Sequence, residues 1–503
     1  MAKKLPIFYN ALLLTGVNLL LRFAGTSFQV YLSGKIGAEG IGLLQLVMSV
    51  GSLALTVGMG GIRTATMYLC AEVVGQKQSG RMGWVLSGCI VYSISISGAA
   101  SFLLYQFAPL IAAGWIGNPA VSSAIRLFSA FLPVSCLCGV MVGYYTGINR
   151  IGTLAVVEVA EQICSMAATI LLLQVWAGSD AARACQCVIL GSSIGACLTL
   201  LVLTALKHRH RESLGEHLPI RKRLWETAVP LAVADTAKAG INTTENLMVP
   251  KRLALYPGAS APLAQFGMVC GMVFPVLMFP AAILFGLAEL LIPEMARCNA
   301  AGSRNRIRYL SERSLHLALL YGCLCGGILF IAADPLCDRL YKTVEAGQYL
   351  KWFAALAPML YCDAITDAIT KGLGKQSICV RYNIITSAMD VGLLFVLLPK
   401  FGIEGYFASF FITHLINFIL SFRLLTKTVD KILPMKTVIL CLLAVICSIY
   451  IANYFENRLH ACISFILLFG ASMVLLGIIK WKDCVWIIGL SKPRREKIDK
   501  GIS

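Results

Sequence analysis

Charged residues are scarce in this chain. Only 14% of its 503 residues are Asp, Glu, Lys or Arg and 58% are hydrophobic, whereas soluble domains are about 25% charged. Alternating ten-residue strands are lacking, which excludes a transmembrane β-barrel. No glycine-rich phosphate loop is present, which argues against ATP hydrolysis. Apolar runs of about 20 residues recur along the whole length instead, as transmembrane helices require. The sequence therefore predicts an all-α polytopic membrane protein.

Cysteine pairs with metal-ligand spacing are also missing. The chain has 19 Cys but no C-x-x-C motif, and its closest pairs are C-x-C at 136/138, 185/187 and 323/325. Side chains two residues apart on a helix point away from each other, so these pairs make poor ligands. We expect reduced, apolar cysteines, no metal and no bound cofactor.

The apolar runs divide into fourteen predicted spans. They lie at 6–33, 41–69, 83–108, 122–148, 154–177, 184–206, 224–249, 263–293, 309–333, 350–371, 378–399, 404–425, 434–455 and 459–480. The connections on the same side of the membrane as the N-terminus, together with the adjoining ends of the spans, carry roughly three times as many Lys and Arg as the connections on the opposite side. An excess of Lys and Arg marks the cytoplasmic side. We expect a multi-pass plasma-membrane protein with both termini in the cytoplasm. The net charge of +18 follows from this topology, so it does not indicate nucleic-acid binding.

Two pairs of segments indicate an internal duplication. "LFSAFLPVSCLCGVMVGYYTGINR" (127–150) matches "WFAALAPMLYCDAITDAITKGLGK" (352–375), and "AEVVGQKQSG" (71–80) matches "PEMARCNAAG" (293–302) at nearly the same offset. Six spans separate the copies, so both halves enter the membrane in the same direction, as parallel repeats do. The predicted regions are an N-lobe of six helices at 1–206, a basic cytoplasmic linker at 207–223, a C-lobe of six helices at 224–427, a helical hairpin at 428–480 and a basic tail at 481–503.

Several predicted helices carry a polar stripe. On the seventh helix the stripe has a spacing of 3, 4 and 3 residues, which places its members on one face; they are Asp235, Lys238, Asn242 and Glu245. The first helix has a similar stripe with Asn18, Arg22 and Gln29, and the second helix has one that ends at Arg63. Further acidic residues inside spans are Glu158, Glu161, Asp363, Asp367 and Asp390. Polar faces cannot contact lipid, so they are expected to line a cavity between the lobes.

The two arginines indicate an anionic ligand. Neither Arg22 nor Arg63 has an acidic residue within four positions, so each needs a partner from elsewhere. The planar fork of Arg suits phosphate, and a diphosphate-linked lipid would supply that anion. Lys238 has two interpretations: it binds cargo, or it neutralises Asp235 one turn away.

The acidic residues are candidates for coupling to Na⁺ or H⁺. They comprise Asp235, Glu245, Asp363, Asp367, Asp390, Glu158 and Glu161, and the membrane potential is a further energy source to consider.

Four motifs in order resemble a known family: "GAEGIGLLQLVMSV" (37–50), "GYYTGINR" (143–150), "ENLMVPKRL" (245–253) and "ELLIPEMARCNAAG" (289–302). They are similar to the stage V sporulation protein B branch of the multidrug/oligosaccharidyl-lipid/polysaccharide exporter superfamily. The resemblance implies a V-shaped, two-lobed flippase for undecaprenyl-diphosphate-linked precursors of the cell wall or of polysaccharides, including lipid II-like substrates. It implies that Arg22 and Arg63 meet the diphosphate, with Gln29 and Asn18 beside them. Relatives place a third arginine on the eighth helix, where this chain has no basic residue, so Lys238 is the substitute. The terminal hairpin would shape a groove for the lipid tail.

Two other functions compete with this interpretation. A multidrug exporter of the same superfamily would take cations, which the Arg22 and Arg63 stripes argue against. A membrane-embedded enzyme of polysaccharide synthesis would need acidic motifs on large external loops, and the longest predicted external connection, at about 334–349, is short. We therefore expect a monomeric, non-enzymatic transporter whose partners are a lipid-linked oligosaccharide and membrane lipids.

Overall fold

The computed structural model describes residues 5–76, 81–178, 180–208, 220–429 and 434–478. Within these ranges the chain is nearly all helical and contains no strand. The helices are α1 (Leu5–Met59), α2 (Ile62–Gly75), α3 (Met82–Leu110), α4 (Ser122–Gly147), α5 (Ile151–Leu172), α6 (Ala181–His208), α7 (Ile220–Leu253), α8 (Pro262–Met268), α9 (Phe274–Ala300), α10 (Arg304–Tyr341), α11 (Val344–Ala354), α12 (Ala357–Gly372), α13 (Gln376–Val429), α14 (Met435–Ala452) and α15 (Arg458–Leu475). Short π-helical segments follow α3, α5 and α8 at Ile111–Ile116, Leu173–Ala177 and Val269–Val273. The all-α membrane fold predicted from the sequence is confirmed.

α13 contains two whole predicted spans, and α1 contains the first span and most of the second. α1 bends at Gly37 and α13 bends at Gly402, where φ is 70° and 59°. Residues with a Cβ rarely adopt this left-handed backbone, so glycine allows the chain to reverse between two spans without a longer loop. Each of the fourteen predicted spans is mostly helical within the described ranges, although turns at residues 60–61 and 355–356 interrupt the second and the tenth.

The number of membrane crossings stays a prediction. Within the described ranges, nine helical stretches are long and apolar enough to cross a bilayer. α7 is not one of them, because its polar stripe lowers its hydropathy. Fourteen crossings therefore require α7 and the shorter helices to be held in the membrane by their neighbours.

The helices pack as two bundles. In the first half α3 packs on α4, α5 on α6 and α4 on α6, and in the second half α9 and α10 pack on α12, while α12 and α7 pack on α13. The halves meet mainly where α1 contacts α7, α8 and α9, and where α2 contacts α7. α14 and α15 form a hairpin against α10. A central contact of α1 and α2 with α7 to α9 thus joins the two lobes.

The repeated glycines make the same contact in both halves. A Cβ on Gly147 at the end of α4 would stand 2.7 Å from the carbonyl oxygen of Met67 on α2. A Cβ on Gly372 at the end of α12 would stand 2.7 Å from the carbonyl oxygen of Ile292 on α9. The sequence match at 127–150 and 352–375 therefore reflects one helix contact made twice.

The ends of these two helices also share their backbone geometry. Asn149 and Gly374 both adopt positive φ, at 59° and 79°. The next N–H groups, of Arg150 and Lys375, each bond the carbonyl five residues back, at 2.9 and 3.0 Å. This left-handed ending satisfies carbonyls that the helix leaves unpaired. The duplicated segments therefore end alike.

The predicted linker and tail fall largely outside the described residues. α6 continues to His208 and α7 begins at Ile220, so both helices extend into the predicted linker at 207–223. The region 481–503 lies outside the described ranges. The predicted lobe and linker boundaries stay predictions.

Candidate functional site

A cavity of about 390 Å³ lies between the two halves. We call it the cleft cavity. Its walls come from the end of α1 and the start of α2 on one side and from α7 on the other. The lining residues that matter here are Thr56 and Arg63 from the first half and Asp235, Lys238 and Asn242 from α7. The stripes of the second and seventh predicted helices therefore face each other.

The cations of the cleft cavity are not neutralised in ion pairs. Among the described residues, no ion pair within 4 Å joins Asp235 to Lys238, and none involves Arg63. All three side chains are exposed to the cavity. Arg63 acts electrostatically on Glu158 of α5. This arrangement favours the cargo-binding interpretation of Lys238 over mutual neutralisation.

The acid closest to Arg63 along its own helix has a different partner. Glu72, at the end of α2, pairs with Arg223 of α7 at 3.0 Å. That contact joins the two halves at the helix ends, and both side chains are partly exposed. Glu72 therefore does not balance Arg63.

The predicted cargo residues of the first helix lie along α9 and the π-helical segment before it. The Arg22 guanidinium carbon is 4.6 Å from the centre of the Phe285 ring. Gln29 lies beside Gly271, and its amide nitrogen is buried without a hydrogen-bond partner among the described residues. The side chain of Asn18 lies outside the described part of the chain. Arg22 and Gln29 are not among the residues that line the cleft cavity.

A second cavity of about 460 Å³ lies within the C-terminal half. We call it the acidic cavity, because Glu245 of α7, Asp363 of α12 and Asp390 of α13 all line it. Asp390 is buried, and its Oδ1 accepts hydrogen bonds from Ser409 at 2.5 Å and Thr413 at 3.2 Å. Glu245 and Asp390 are close enough to interact directly through their side chains. Two adjacent carboxylates repel each other unless a cation or a proton lies between them.

The third carboxylate of the acidic cavity has spare acceptor capacity. Asp363 Oδ2 accepts a hydrogen bond from the Asn417 amide at 3.1 Å. Asp363 Oδ1 and Asn417 Oδ1 are buried with no partner among the described residues. The same ranges contain no group of three His, Cys, Asp or Glu side chains placed to hold a metal ion. A cation here would therefore also use hydroxyl and amide oxygens, which suit hard ions.

Two of the remaining acidic candidates are bound by protein groups. Asp367 pairs with Lys371 at 2.6 Å, one turn away on α12. Glu161 of α5 accepts a hydrogen bond from Thr199 of α6 at 2.7 Å. Of the seven acidic candidates, the structure brings only Glu245, Asp363 and Asp390 into one cavity.

Sequence reasoning missed the second half of α13. Ser409, Thr413 and Asn417 are spaced four residues apart, which is a helical stripe that could have been found. His414 lines the same cavity and stacks on Phe410 with the ring centres 3.8 Å apart. Thr413, His414 and Asn417 thus line the acidic cavity, and Ser409 bonds to Asp390.

The two cavities share one residue. Asn242 lines both the cleft cavity and the acidic cavity. Lys238 and Glu245 lie on either side of it along α7. α7 is therefore the element common to the cationic and the acidic sites.

Comparisons with known proteins find two sporulation proteins that are similar along most of the chain. No family model matches the chain. The chain is 24% identical to stage V sporulation protein B of Bacillus subtilis (strain 168) over 472 residues, which cover 91% of this chain and 90% of that protein. It is 22% identical to sporulation protein YkvU of the same organism over 375 residues, 73% of this chain and 82% of that protein.

Solved structures with the same fold support this relationship. The lipid II flippase MurJ in an inward closed conformation superposes with a TM-score of 0.69 and 14% identity, covering 94% of this chain and 99% of its own. An inward-facing multidrug resistance MATE family transporter of the MOP superfamily gives a TM-score of 0.65 and 12% identity, covering 83% and 98%. The chain therefore resembles stage V sporulation protein B along most of its length and has the fold of transporters of the multidrug/oligosaccharidyl-lipid/polysaccharide (MOP) exporter superfamily. The resemblance seen in the sequence motifs is confirmed.

In this chain the eighth predicted span corresponds to α8 and α9. Arg297, near the end of α9, is the first basic residue after Arg252. Arg297 pairs with Glu294 at 3.6 Å, in the last turns of α9. α7 instead supplies Lys238 to the cleft cavity.

Proposed function

We propose that this protein is an alternating-access transporter that moves a lipid-linked, diphosphate-bearing sugar precursor across the membrane. The observation that carries the proposal is the position of Arg63 and Lys238, which face one cavity from opposite halves of the molecule and have no ion-pair partner among the described residues. Two cations from separate bundles can bind one anion together, and they lose that joint contact when the bundles move apart. Such a site suits a cargo that must be bound and then released.

A diphosphate fits this site better than a monovalent anion. Arg63 can donate two parallel hydrogen bonds to one phosphate, and Lys238 supplies a point charge for the other. Arg22, stacked on Phe285 between α1 and α9, lies where a polar headgroup could enter from the side. A lipid-linked cargo also agrees with the names of similar proteins, a lipid II flippase and a stage V sporulation protein.

We further propose that the acidic cavity couples transport to Na⁺ or H⁺. Glu245 and Asp390 form an adjacent pair that a cation or proton would stabilise. We expect Glu245→Gln to transport cargo without responding to an imposed ion gradient, while cargo binding in detergent stays within twofold of the unmodified protein. A Glu245→Gln protein that keeps its gradient response would contradict this assignment.

The acidic cavity also supports a second candidate function, the export of cationic drugs. Three carboxylates beside the aromatic side chains of Phe274 and Phe410 would suit an organic cation. A MATE multidrug transporter has the same fold. The cleft cations oppose this function, because a cationic drug would pass between Arg63 and Lys238.

Reconstitution separates the two functions. Purified protein in proteoliposomes is offered a fluorescent polyprenyl-diphosphate sugar or a cationic dye, with imposed Na⁺, H⁺ and potential gradients. We expect translocation of the lipid-linked sugar and no dye export. Dye export without sugar translocation would replace the first function with the second.

We also propose a plasma-membrane location, both termini in the cytoplasm and a monomeric state. Cysteine substitutions at Ser213 and Ser491 in a cysteine-depleted background should react with a membrane-impermeant maleimide only after the cells are opened. Reaction at either position in intact cells would contradict the topology.

A further inference from the structure

One residue of α1 receives two hydrogen bonds from the other half of the molecule. The carbonyl oxygen of Ser49 accepts from the Thr243 hydroxyl at 3.1 Å, and the hydroxyl of Ser49 accepts from the Asn246 amide at 2.9 Å. The Ser49 hydroxyl itself donates to the Gln45 carbonyl at 2.8 Å. Ser49 and Thr243 are both buried. The donor and the acceptor of the Ser49 side chain are therefore both used, and the geometry between α1 and α7 is defined there.

The same contact borders the acidic cavity. Asn246 lines that cavity together with Glu245, its neighbour in sequence, and Gln45 lines it from α1. Because Asn246 uses its amide nitrogen to reach Ser49, its amide oxygen is the atom left to accept from a group inside the cavity. A shift of α7 that moves Glu245 towards a bound cation must move Asn246 as well. A ligand in the acidic cavity that displaces this part of α7 would therefore also displace the hydrogen-bond donors to Ser49.

The chain leads from Ser49 to the cleft cation through a two-glycine joint. α1 ends at Met59, and Gly60 and Gly61 both adopt positive φ, at 49° and 70°. α2 then starts at Ile62, followed at once by Arg63. Two consecutive left-handed residues interrupt the helical hydrogen bonds, so the direction of α2 can change relative to α1 at this joint. A displacement of α1 at Ser49 can thus reorient Arg63.

We propose that Ser49 is a positioning residue through which the acidic cavity controls the cleft cation Arg63. A monovalent cation or a proton in the acidic cavity moves α7, the Thr243 and Asn246 bonds pull α1, and the glycine joint turns α2. This proposal rests on the proposed function, since it assumes that the acidic cavity takes the coupling ion. The ion would thus change the conformation of the N-terminal half without contacting the cargo.

The test measures the distance between the halves with no cargo present. Spin labels are introduced as unnatural amino acids at Gly75 and Ala301, the exposed ends of α2 and α9, in the full-length protein in nanodiscs. Pulsed EPR distances are compared in NaCl and in N-methylglucamine chloride, and at pH 6 and pH 8. The titratable groups that face the cavity are Glu245, Cys270, Asp363, Asp390, Tyr406 and His414. We expect the unmodified protein to change its distance distribution with one of these two probes.

Two variants remove the contact and two controls do not. Ser49→Ala and Thr243→Val should reduce the ion-driven change in the ratio of the two conformers about fivefold, as the loss of one hydrogen bond would. Ser49→Thr, which keeps the hydroxyl, should restore the response. Ser95→Ala and Thr244→Val remove hydroxyls that bond only within their own helices and should respond like the unmodified protein.

Each outcome decides the proposal. A Ser49→Ala protein with the full ion response would overturn the role of Ser49, and Thr243→Val carries the same test if Ser49→Ala does not fold. An unmodified protein that responds to neither probe would overturn the ion coupling and the Ser49 link together. A normal ion response in a protein that fails to translocate lipid-linked sugar would overturn the proposed cargo alone.

Discussion

Replacing Arg63 with alanine tests the cleft cavity most directly. The Arg63 side chain is exposed to the cavity and has no ion pair within 4 Å among the described residues, so its loss should leave the fold intact. A hydrogen bond to a charged group contributes about 1.5–3 kcal/mol, and exposure favours the lower part of that range. Taking about 2 kcal/mol, we expect Arg63→Ala to weaken cargo binding about 30-fold. Arg63→Lys should lose about fivefold, because a point charge lacks the bidentate geometry.

The assay combines binding and translocation on the same preparations. Affinity for a fluorescent polyprenyl-diphosphate sugar is measured by titration in detergent. Flipping in proteoliposomes is followed by quenching the fluorescence of the labelled lipid in the outer leaflet. Arg126→Ala is the matched control, since Arg126 stacks on Tyr105 with 5.2 Å between the guanidinium carbon and the ring centre and lines neither cavity. Melting temperatures within a degree or two of the unmodified protein would show that the fold is intact. Unchanged affinity in a well-folded Arg63→Ala protein would refute the assignment of Arg63 to the cargo.

Two further predictions concern α7 and the repeat. The double variant Asp235→Asn with Lys238→Gln should be stable, because no ion pair is lost, but inactive in sugar translocation; full activity would make Lys238 a structural residue. Gly147→Ala and Gly372→Ala should each lower the melting temperature by a similar amount, at a cost of about 1–3 kcal/mol for overpacking. Gly98→Ala, which would contact nothing within 4 Å, should leave it unchanged. A large loss for only one glycine of the pair would contradict their equivalence.

Much of the candidate site was predictable because a helix has a fixed period. The spacing of Asp235, Lys238 and Asn242 places them on one face of α7 whatever surrounds that helix. Lipid excludes such a face, so a cavity had to lie beside it. The helical period also placed Glu245 on this face of α7, but it did not predict which cavity Glu245 lines.

Ion pairs were not predictable in the same way. Asp235 and Lys238 are one turn apart, yet the structure leaves them without an ion pair, since both side chains extend into the cavity. Asp367 and Asp363 were equal candidates for binding the coupling ion. Only Asp367 has a lysine one turn further on, and that lysine binds it. Such choices depend on side-chain direction and distance.

The sequence by itself determined the membrane class, the helical architecture, the duplication and the resemblance to the exporter superfamily, because hydropathy, period and motif order are properties of single segments. The tertiary structure alone decided which stripes meet. It separated the cleft cations from the acidic cavity, brought Ser409 and Thr413 of α13 to Asp390, and joined Ser49 to Asn246 across 197 residues of chain. The physical reason is that helical periodicity fixes an angle on one helix, whereas a contact between helices also needs their relative rotation, depth and separation. Those are set only when all the helices pack together.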